Sequence, residues 1–290
     1  MPVVHHRYAT IANQRIFYRE AGPVGAPAIV LLHGFPTSSF MFRELIPALA
    51  DRYHVIAPDH LGFGYSPAPS AKEFDYTFDA LTELTAGLLE QLGVTRYALY
   101  VQDYGAPIGW RLALSNPGAI SAIITQNGNG HDAGFIEGFW TTVWDYQRAA
   151  TPATEAAIRT ALTLETTRWQ YLTGAPDESV VSPDTWHHDF ALLSRPGNDE
   201  VQLALFRDYA TNPPLYPALH EYLRRQQPPV LAVWGKDDPI FGPEGARAFA
   251  EDVPDAEIHL LDGGHFLLES AGDQVAELII DFLGRVVTSR

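Results

Sequence analysis

Short apolar runs recur along the chain, and each ends abruptly at a polar residue or a glycine. The run over residues 28–32 stops at His33 and Gly34, as a buried parallel strand would. The other runs cover residues 53–58, 97–101, 120–125, 229–234 and 258–261. Together these runs predict the buried strands of one sheet.

Helical spacing of apolar residues appears between these runs. The clearest case has Thr77 as its N-cap, apolar residues every three or four positions, and Gly93 as its C-terminal stop. Further helices are predicted over residues 40–50 and 106–115, and a closing helix carries Val275, Leu278, Ile279, Phe282 and Leu283 on one face. This alternation predicts an α/β fold whose mostly parallel sheet is flanked by helices.

The alternation stops between residues 129 and 227, where no buried strand is predicted. The stretch carries aromatic and helical segments punctuated by prolines such as Pro176 and Pro196. Its length of roughly a hundred residues is far outside that of ordinary loops. We therefore predict a core domain formed by residues 1–128 and 228–290, with an inserted helical cap domain at residues 129–227.

Composition and charge narrow the classes of function. The chain has 290 residues, a formal net charge of −16 and no cysteine. Thiolate nucleophiles, thiolate metal sites and disulfides are therefore excluded, and the acidic balance argues against nucleic acid as a partner. We find neither an apolar stretch long enough to span a bilayer nor a secretion signal. A soluble, cytoplasmic protein without a membrane partner is expected; a monomer and a homodimer both stay open.

Metal and nucleotide cofactors are not expected. The adjacent pairs His5-His6 and His187-His188 do not face one direction on a helix, and no carboxylate stands at ligand spacing. Gly62 lies in a glycine pair that lacks the third glycine of a dinucleotide-binding loop.

Polar motifs fall at the predicted carboxyl ends of three strands, where open α/β sheets place their sites. Asp103 ends one strand and is followed by Gly105 and a helix, which is a nucleophile elbow with aspartate in place of serine. Asp238 and His265 follow the last two predicted strands. Each has a structural alternative: an aspartate at a strand end often caps a helix, a histidine can simply pack, and the adjacent Asp237 competes with Asp238.

From Phe17 onward the chain resembles the α/β-hydrolase family, in particular its epoxide hydrolase and haloalkane dehalogenase branch. The segment His33-Gly34-Phe35-Pro36 is similar to the family's oxyanion-hole motif, and residues 58–66 resemble its next loop. The segment Gln102-Asp103-Tyr104-Gly105 resembles the aspartate elbow of this branch, and residues 129–227 take the place of its helical cap.

The resemblance implies a hydrolase that works without a cofactor. Asp103 would attack a saturated carbon and form an alkyl ester, and His265, oriented by Asp238, would activate the water that cleaves it. The backbone N–H groups of Phe35 and Tyr104 would stabilise the oxyanion. The expected partners are a small apolar electrophilic substrate and water.

The leaving group separates the members of this branch. Haloalkane dehalogenases usually place a tryptophan directly after the nucleophile and an asparagine in the oxyanion-hole motif, where this chain has Tyr104 and Phe35. Haloacid substrates are not expected, because Tyr104 and Pro107 stand where arginines would hold the carboxylate. Epoxide hydrolases use two cap tyrosines as proton donors. Tyr209 fits the first, although Ala210 replaces the usual following arginine, and Tyr146 is preferred over Tyr171 for the second.

We therefore predict an epoxide hydrolase that converts an epoxide to a vicinal diol. The alternative is a haloalkane dehalogenase in which cap tryptophans supply the missing N–H donors. A more remote alternative is a hydrolase-fold binding protein without catalysis. In each case the substrate pocket is expected to be lined by the cap residues Phe139, Trp140 and Trp144.

Overall fold

The computed structural model describes residues 2–287 and is built around one eight-stranded sheet. The strands are β1 (His5–Ile11), β2 (Gln14–Ala21), β3 (Ala28–Leu32), β4 (His54–Pro58), β5 (Tyr97–Val101), β6 (Ile120–Gln126), β7 (Val230–Gly235) and β8 (Glu257–Leu261). Their order is β1-β2-β4-β3-β5-β6-β7-β8. The β1–β2 and β2–β4 pairs are antiparallel and the other neighbours run parallel.

Helices cover both faces of this sheet, and the predicted α/β class is confirmed. The α-helices of the described residues are α1 (Leu45–Leu49), α2 (Phe78–Gln91), α3 (Gly105–Ser115), α4 (Glu137–Arg148), α5 (Pro152–Ile158), α6 (Leu164–Leu172), α7 (Pro183–Leu193), α8 (Asn198–Asp208), α9 (Tyr216–Gln226), α10 (Glu244–Asp252) and α11 (Leu267–Val286). Within residues 2–287, no helix combines the length and the apolar character needed to cross a bilayer.

The two faces of the sheet are buried in separate apolar clusters. In β3, Val30 and Leu32 point into one cluster, while Ile29 and Leu31 point into the other. All four side chains have an exposure of 0%. Successive strand residues alternate between faces, so a strand that is covered on both sides needs an unbroken apolar run. This is why the apolar runs located these strands correctly.

Two local predictions were incomplete. The strands β1 and β2 were not predicted. β1 exposes most of its residues and carries no apolar run, and the short apolar segment of β2, Ile16 to Tyr18, is flanked by Arg15 and Arg19. The helix predicted over residues 40–50 is broken into a 3-10 turn at Ser39–Phe42 and the five-residue α1. In a continuous helix over residues 40–50, Pro47 would lack the hydrogen bond to the carbonyl of Arg43 and would clash with it. In the observed structure Pro47 lies in the first turn of α1, where its missing N–H is tolerated.

Helices α4 to α9 all lie between β6 and β7, the segment that we interpret as the cap. The two strands are nonetheless parallel neighbours, so the insertion leaves the sheet continuous. Polar contacts join this segment to the core. Arg195 donates to the Ser66 carbonyl at 3.0 Å, and Asp208 accepts a hydrogen bond from the Phe78 N–H at 2.7 Å.

Candidate active site

Asp103 lies on a sharp turn between β5 and α3. Its φ of +47° is in the left-handed region, which is uncommon for a residue other than glycine. Gly105 makes the turn feasible, because a Cβ atom at this position would lie 2.1 Å from the Leu32 carbonyl oxygen. The turn holds the Asp103 carboxylate, with an exposed fraction of only 5%, at the carboxyl edge of the sheet.

The structure brings His265 and Asp238 together beside this turn. The Nδ1 atom of His265 lies 2.9 Å from Oδ2 of Asp238, and both side chains are fully buried. The other carboxylate oxygen of Asp238 accepts the Ile240 N–H at 2.7 Å. Because a carboxylate can only accept, Nδ1 of His265 carries the proton and Nε2 holds the free lone pair of the neutral ring.

Burial and neighbouring charges set the ionisation of this group. Burial of the His265 ring works against its protonation, but the attraction of Asp238, the hydrogen bond to it and the charge of Asp103 outweigh burial and raise the pKa of His265. Burial also raises the pKa of Asp103, although His265 and two backbone N–H groups work in the opposite direction. His265 and Asp103 therefore provide a base next to a buried carboxylate.

The backbone N–H groups predicted for the oxyanion hole face the Asp103 carboxylate. The Phe35 N–H donates to Oδ1 at 2.6 Å. A second hydrogen bond, from the Tyr104 N–H, also favours the ionised form of Asp103. Donors arranged in this way stabilise an oxyanion at the same position by about 3 kcal/mol each.

The chain matches a known protein family over most of its length. A family model described as the alpha/beta hydrolase fold matches residues 27–271. The chain belongs to the α/β-hydrolase family. An uncharacterized hydrolase of Saccharomyces cerevisiae is 41% identical over 278 residues, which cover 95% of each chain. A haloalkane dehalogenase of Mycobacterium marinum is 31% identical over 281 residues, covering 92% of this chain and 88% of the relative.

Solved structures show the same fold. Haloalkane dehalogenase DbeA of Bradyrhizobium elkani has a TM-score of 0.81 and 24% identity, with 99% of each chain covered. The epoxide hydrolase CorEH has a TM-score of 0.78 and 21% identity, covering 98% of this chain and 99% of its own. The protein is thus a hydrolase of the α/β family, and solved structures of both classes of enzyme share its fold.

Several polar groups of this hydrolase site were not identified from the sequence. Asn127 follows β6, donates to Oδ2 of Asp238 at 2.7 Å and accepts the Gly235 N–H at 2.9 Å. Gln126 donates to the His265 carbonyl at 3.1 Å. Both residues lie at the end of β6, and the neighbouring strand ends carry the other site residues. Their position in the sequence could therefore have identified them.

The cap of the hydrolase places one tyrosine hydroxyl, that of Tyr209, where the charge of the Asp103 carboxylate acts on it. Tyr209 is buried, and its ring centroid lies 5.8 Å from that of Tyr104. Burial raises the pKa of Tyr209, and the nearby Tyr216 hydroxyl and Asp103 carboxylate raise it further. Tyr216 lies beside Tyr209, and burial raises the pKa of its hydroxyl as well. Both hydroxyls therefore stay protonated at neutral pH and are proton donors.

The structure does not bring the other predicted cap tyrosine, Tyr146, to this place. Its ring packs 5.5 Å from the Arg207 guanidinium and lines a surface groove with Asp75 and Thr77. Tyr146 is two positions beyond Trp144 on α4, so it points to nearly the opposite side of the helix. The alternative residue, Tyr171, uses its hydroxyl to donate to Asp189 at 2.5 Å.

The three residues predicted to line the pocket have different environments. Trp140 packs against the Tyr209 ring at 4.6 Å and stacks on Trp144 at 4.9 Å. The Trp140 indole N–H donates to the Ile240 carbonyl at 3.0 Å, so it is already engaged. Phe139 instead lines a cavity of about 300 Å³ whose walls include neither Asp103 nor His265.

A second cluster of histidine and carboxylate groups was also not identified from the sequence. The ligand atoms of His131, His220 and Asp252 lie within 4.8 Å of one another. The two imidazole planes are only 17° apart and stack at 4.3 Å. Their in-plane lone pairs therefore do not converge on one point at the ~2.0 Å that a zinc ion requires. Asp252 also binds Arg224 at 2.6 Å, so the cluster is suited to holding α9 against α10.

Proposed function

We propose that the protein is an epoxide hydrolase that forms an alkyl ester on Asp103 and converts an epoxide to a vicinal diol. One observation carries this choice of leaving group. The protonated hydroxyl of Tyr209 lies near the Asp103 carboxylate, whereas the Trp140 indole N–H is engaged by a backbone carbonyl. A developing alkoxide needs a proton donor, and a tyrosine hydroxyl supplies one.

In the first step, Asp103 attacks one ring carbon of the epoxide. A carbon–oxygen bond forms to the carboxylate, and the ring carbon–oxygen bond breaks. The released oxygen takes the proton of the Tyr209 hydroxyl, which becomes a phenolate. The buried carboxylate is a competent nucleophile because it needs no deprotonation at neutral pH.

In the second step, water attacks the ester carbonyl carbon of Asp103. His265 takes a proton from this water at Nε2, and Asp238 stabilises the imidazolium through Nδ1. The Phe35 and Tyr104 N–H groups hold the negative oxygen of the tetrahedral intermediate. As the intermediate collapses, the leaving alkoxide takes the second proton of the attacking water and departs as the diol, which returns Asp103 to its carboxylate form. The proton on His265 then restores the neutral Tyr209 hydroxyl.

Replacing Tyr209 by phenylalanine tests this choice of proton donor. Loss of general acid catalysis is expected to lower kcat/KM for styrene oxide by about 100-fold. The rate of diol formation measures the effect. Tyr146→Phe is the matched control, because this equally buried cap tyrosine packs against Arg207 instead, and it is expected to keep full activity. Full epoxide turnover by Tyr209→Phe would remove this residue from the mechanism.

Haloalkane dehalogenase is the second candidate, favoured by the 31% identity to the haloalkane dehalogenase of Mycobacterium marinum. This function shares the ester intermediate but requires donors for a departing halide. Bromide release from 1,2-dibromoethane, measured beside diol formation from styrene oxide, separates the two. Bromide release without diol formation would favour the dehalogenase.

A methyl group at Gly34 is expected to block the site. A Cβ atom at this position would lie 2.5 Å from Oδ1 of Asp103 and 2.6 Å from Oε1 of Gln102. Because it would displace the nucleophile from the Phe35 N–H, Gly34→Ala should lower kcat/KM by at least about 100-fold. Gly25→Ala is the control, since a Cβ atom there meets nothing within 4 Å. Equal kcat/KM values for the two variants would contradict this geometry.

A further inference from the structure

The side chain of Gln102 lies against the free nitrogen of the base. Its Nε2 atom is 2.9 Å from Nε2 of His265, and the side chain has an exposure of 0%. Because Nδ1 of His265 is held by Asp238, the Gln102 amide meets the nitrogen that must accept a proton from water. A neutral His265 can only accept at this nitrogen, so the amide N–H donates to it.

The amide oxygen of the same side chain has no hydrogen-bond partner within the described residues, although it is buried. An unpaired buried acceptor costs free energy, and such groups in native proteins call for an explanation. The carboxamide of Gln102 is nearly symmetrical in shape. A half-turn about its last side-chain bond therefore exchanges donor for acceptor at Nε2 of His265.

We propose that Gln102 is a positioning residue that turns its amide when His265 becomes protonated, so that its oxygen then accepts the Nε2–H of the imidazolium. In the resting state the amide N–H holds the neutral ring in place. When the hydrolytic water binds, it displaces this N–H from Nε2. After proton transfer, the turned amide gives both the imidazolium proton and the orphaned oxygen a partner.

This exchange favours the protonated ring. A hydrogen bond to a charged donor is roughly twice as strong as one between neutral groups, so Gln102 stabilises imidazolium more than imidazole. The charged groups that face His265 are Asp238, at Nδ1, and Asp103, at the elbow. Neither has a hydrogen-bond donor to offer to the free oxygen of Gln102. The inference rests on the proposed function only in assigning His265 the role of base.

The test is an NMR titration of His265 in the intact protein without substrate. Histidine labelled with ¹³C at Cε1 gives one signal per ring, and His265→Gln assigns the signal of interest. Replacing Gln102 by methionine keeps the volume but removes donor and acceptor. The midpoint of His265 is expected to fall by about one pH unit. Gln202→Met is the matched control, because the buried amide of Gln202 donates to the Gly62 carbonyl and not to His265. In this variant the titration midpoint of His265 should equal that of the wild type.

The outcomes separate this inference from the proposed function. A wild-type midpoint in Gln102→Met overturns the role of Gln102, whatever substrate the enzyme takes. A lowered midpoint in a protein that does not open epoxides supports the role and contradicts only the proposed function. If circular dichroism shows that Gln102→Met is unfolded, Gln102→Leu removes the same two polar groups and is titrated instead. A midpoint in Gln102→Leu equal to that of the wild type overturns the inference in the same way.

Discussion

Asp103→Ala is expected to abolish turnover, with kcat falling on the order of 10⁵-fold or more. The alkyl ester cannot form without this carboxylate, and the remaining oxyanion donors have no intermediate to stabilise. Diol formation from styrene oxide at neutral pH measures the effect. Thermal unfolding should show that the fold is kept. The substitution removes no apolar packing contact, and it removes a buried charge, which costs free energy in the folded state.

Asp237→Ala is the control for this loss. Asp237 belongs to the loop that carries Asp238, but its side chain is exposed and lies outside the hydrogen-bonded group around His265. Its removal should leave kcat within a factor of about two, as for most surface changes. If Asp103→Ala retained hydrolysis while keeping its fold, the attack on substrate would have to come from water, and the covalent mechanism would be wrong.

The core strands were predictable because their environment leaves little choice. A strand covered on both faces must be apolar throughout, so β3 to β7 appear as apolar runs in the sequence. The partly buried β8, at one edge of the sheet, shows only a short run over residues 258–261. The strand β1 lies at the other edge of the sheet, and β2 pairs with both β1 and β4. Four consecutive residues of β1, His5 to Tyr8, are exposed. Solvent allows polar residues at such positions, and the apolar pattern that identified the other strands is absent.

The candidate site was predictable in part for the same reason. Parallel strands deliver their carboxyl ends to one edge, so Asp103, Asp238 and His265 come from predictable positions in the chain. The cap follows no such rule. Which helix face meets the core is decided by tertiary packing, and the placement of Tyr216 beside Tyr209, with Tyr146 turned away, was not visible in the spacing of aromatic residues.

Polar residues at buried strand ends carried more information than the sequence analysis used. Gln102 lies inside the aspartate-elbow segment, Asn127 follows the predicted strand run that ends at residue 125, and both are fully buried. Most buried amides are hydrogen-bonded, and at a strand end the available partners are the groups of the neighbouring strand ends. Asn127 fixes the orientation of Asp238 in this way, and Asp238 in turn fixes His265.

His265→Gln is expected to stop the reaction at the alkyl ester. The first step uses Asp103 and Tyr209 only, so one equivalent of substrate should bind covalently. The second step lacks its base, so the ester should persist at least about 1,000-fold longer than in the wild type. Intact-mass spectrometry after mixing with styrene oxide should show the protein heavier by one substrate, and peptide mapping should place the added mass on Asp103.

The pH dependence of the wild type gives an independent check on the same intermediate. Hydrolysis needs a neutral His265, whose pKa is raised above its usual value, so this step fails as the pH falls through that raised pKa. Alkylation needs an ionised Asp103, whose pKa is also raised but from a lower starting value. At a pH where His265 is protonated and Asp103 is still ionised, the wild type should be alkylated and should accumulate the ester as His265→Gln does. The double variant carrying Asp103→Ala with His265→Gln must show no added mass; an adduct on it, or none on His265→Gln at any pH, would contradict a covalent bond to Asp103.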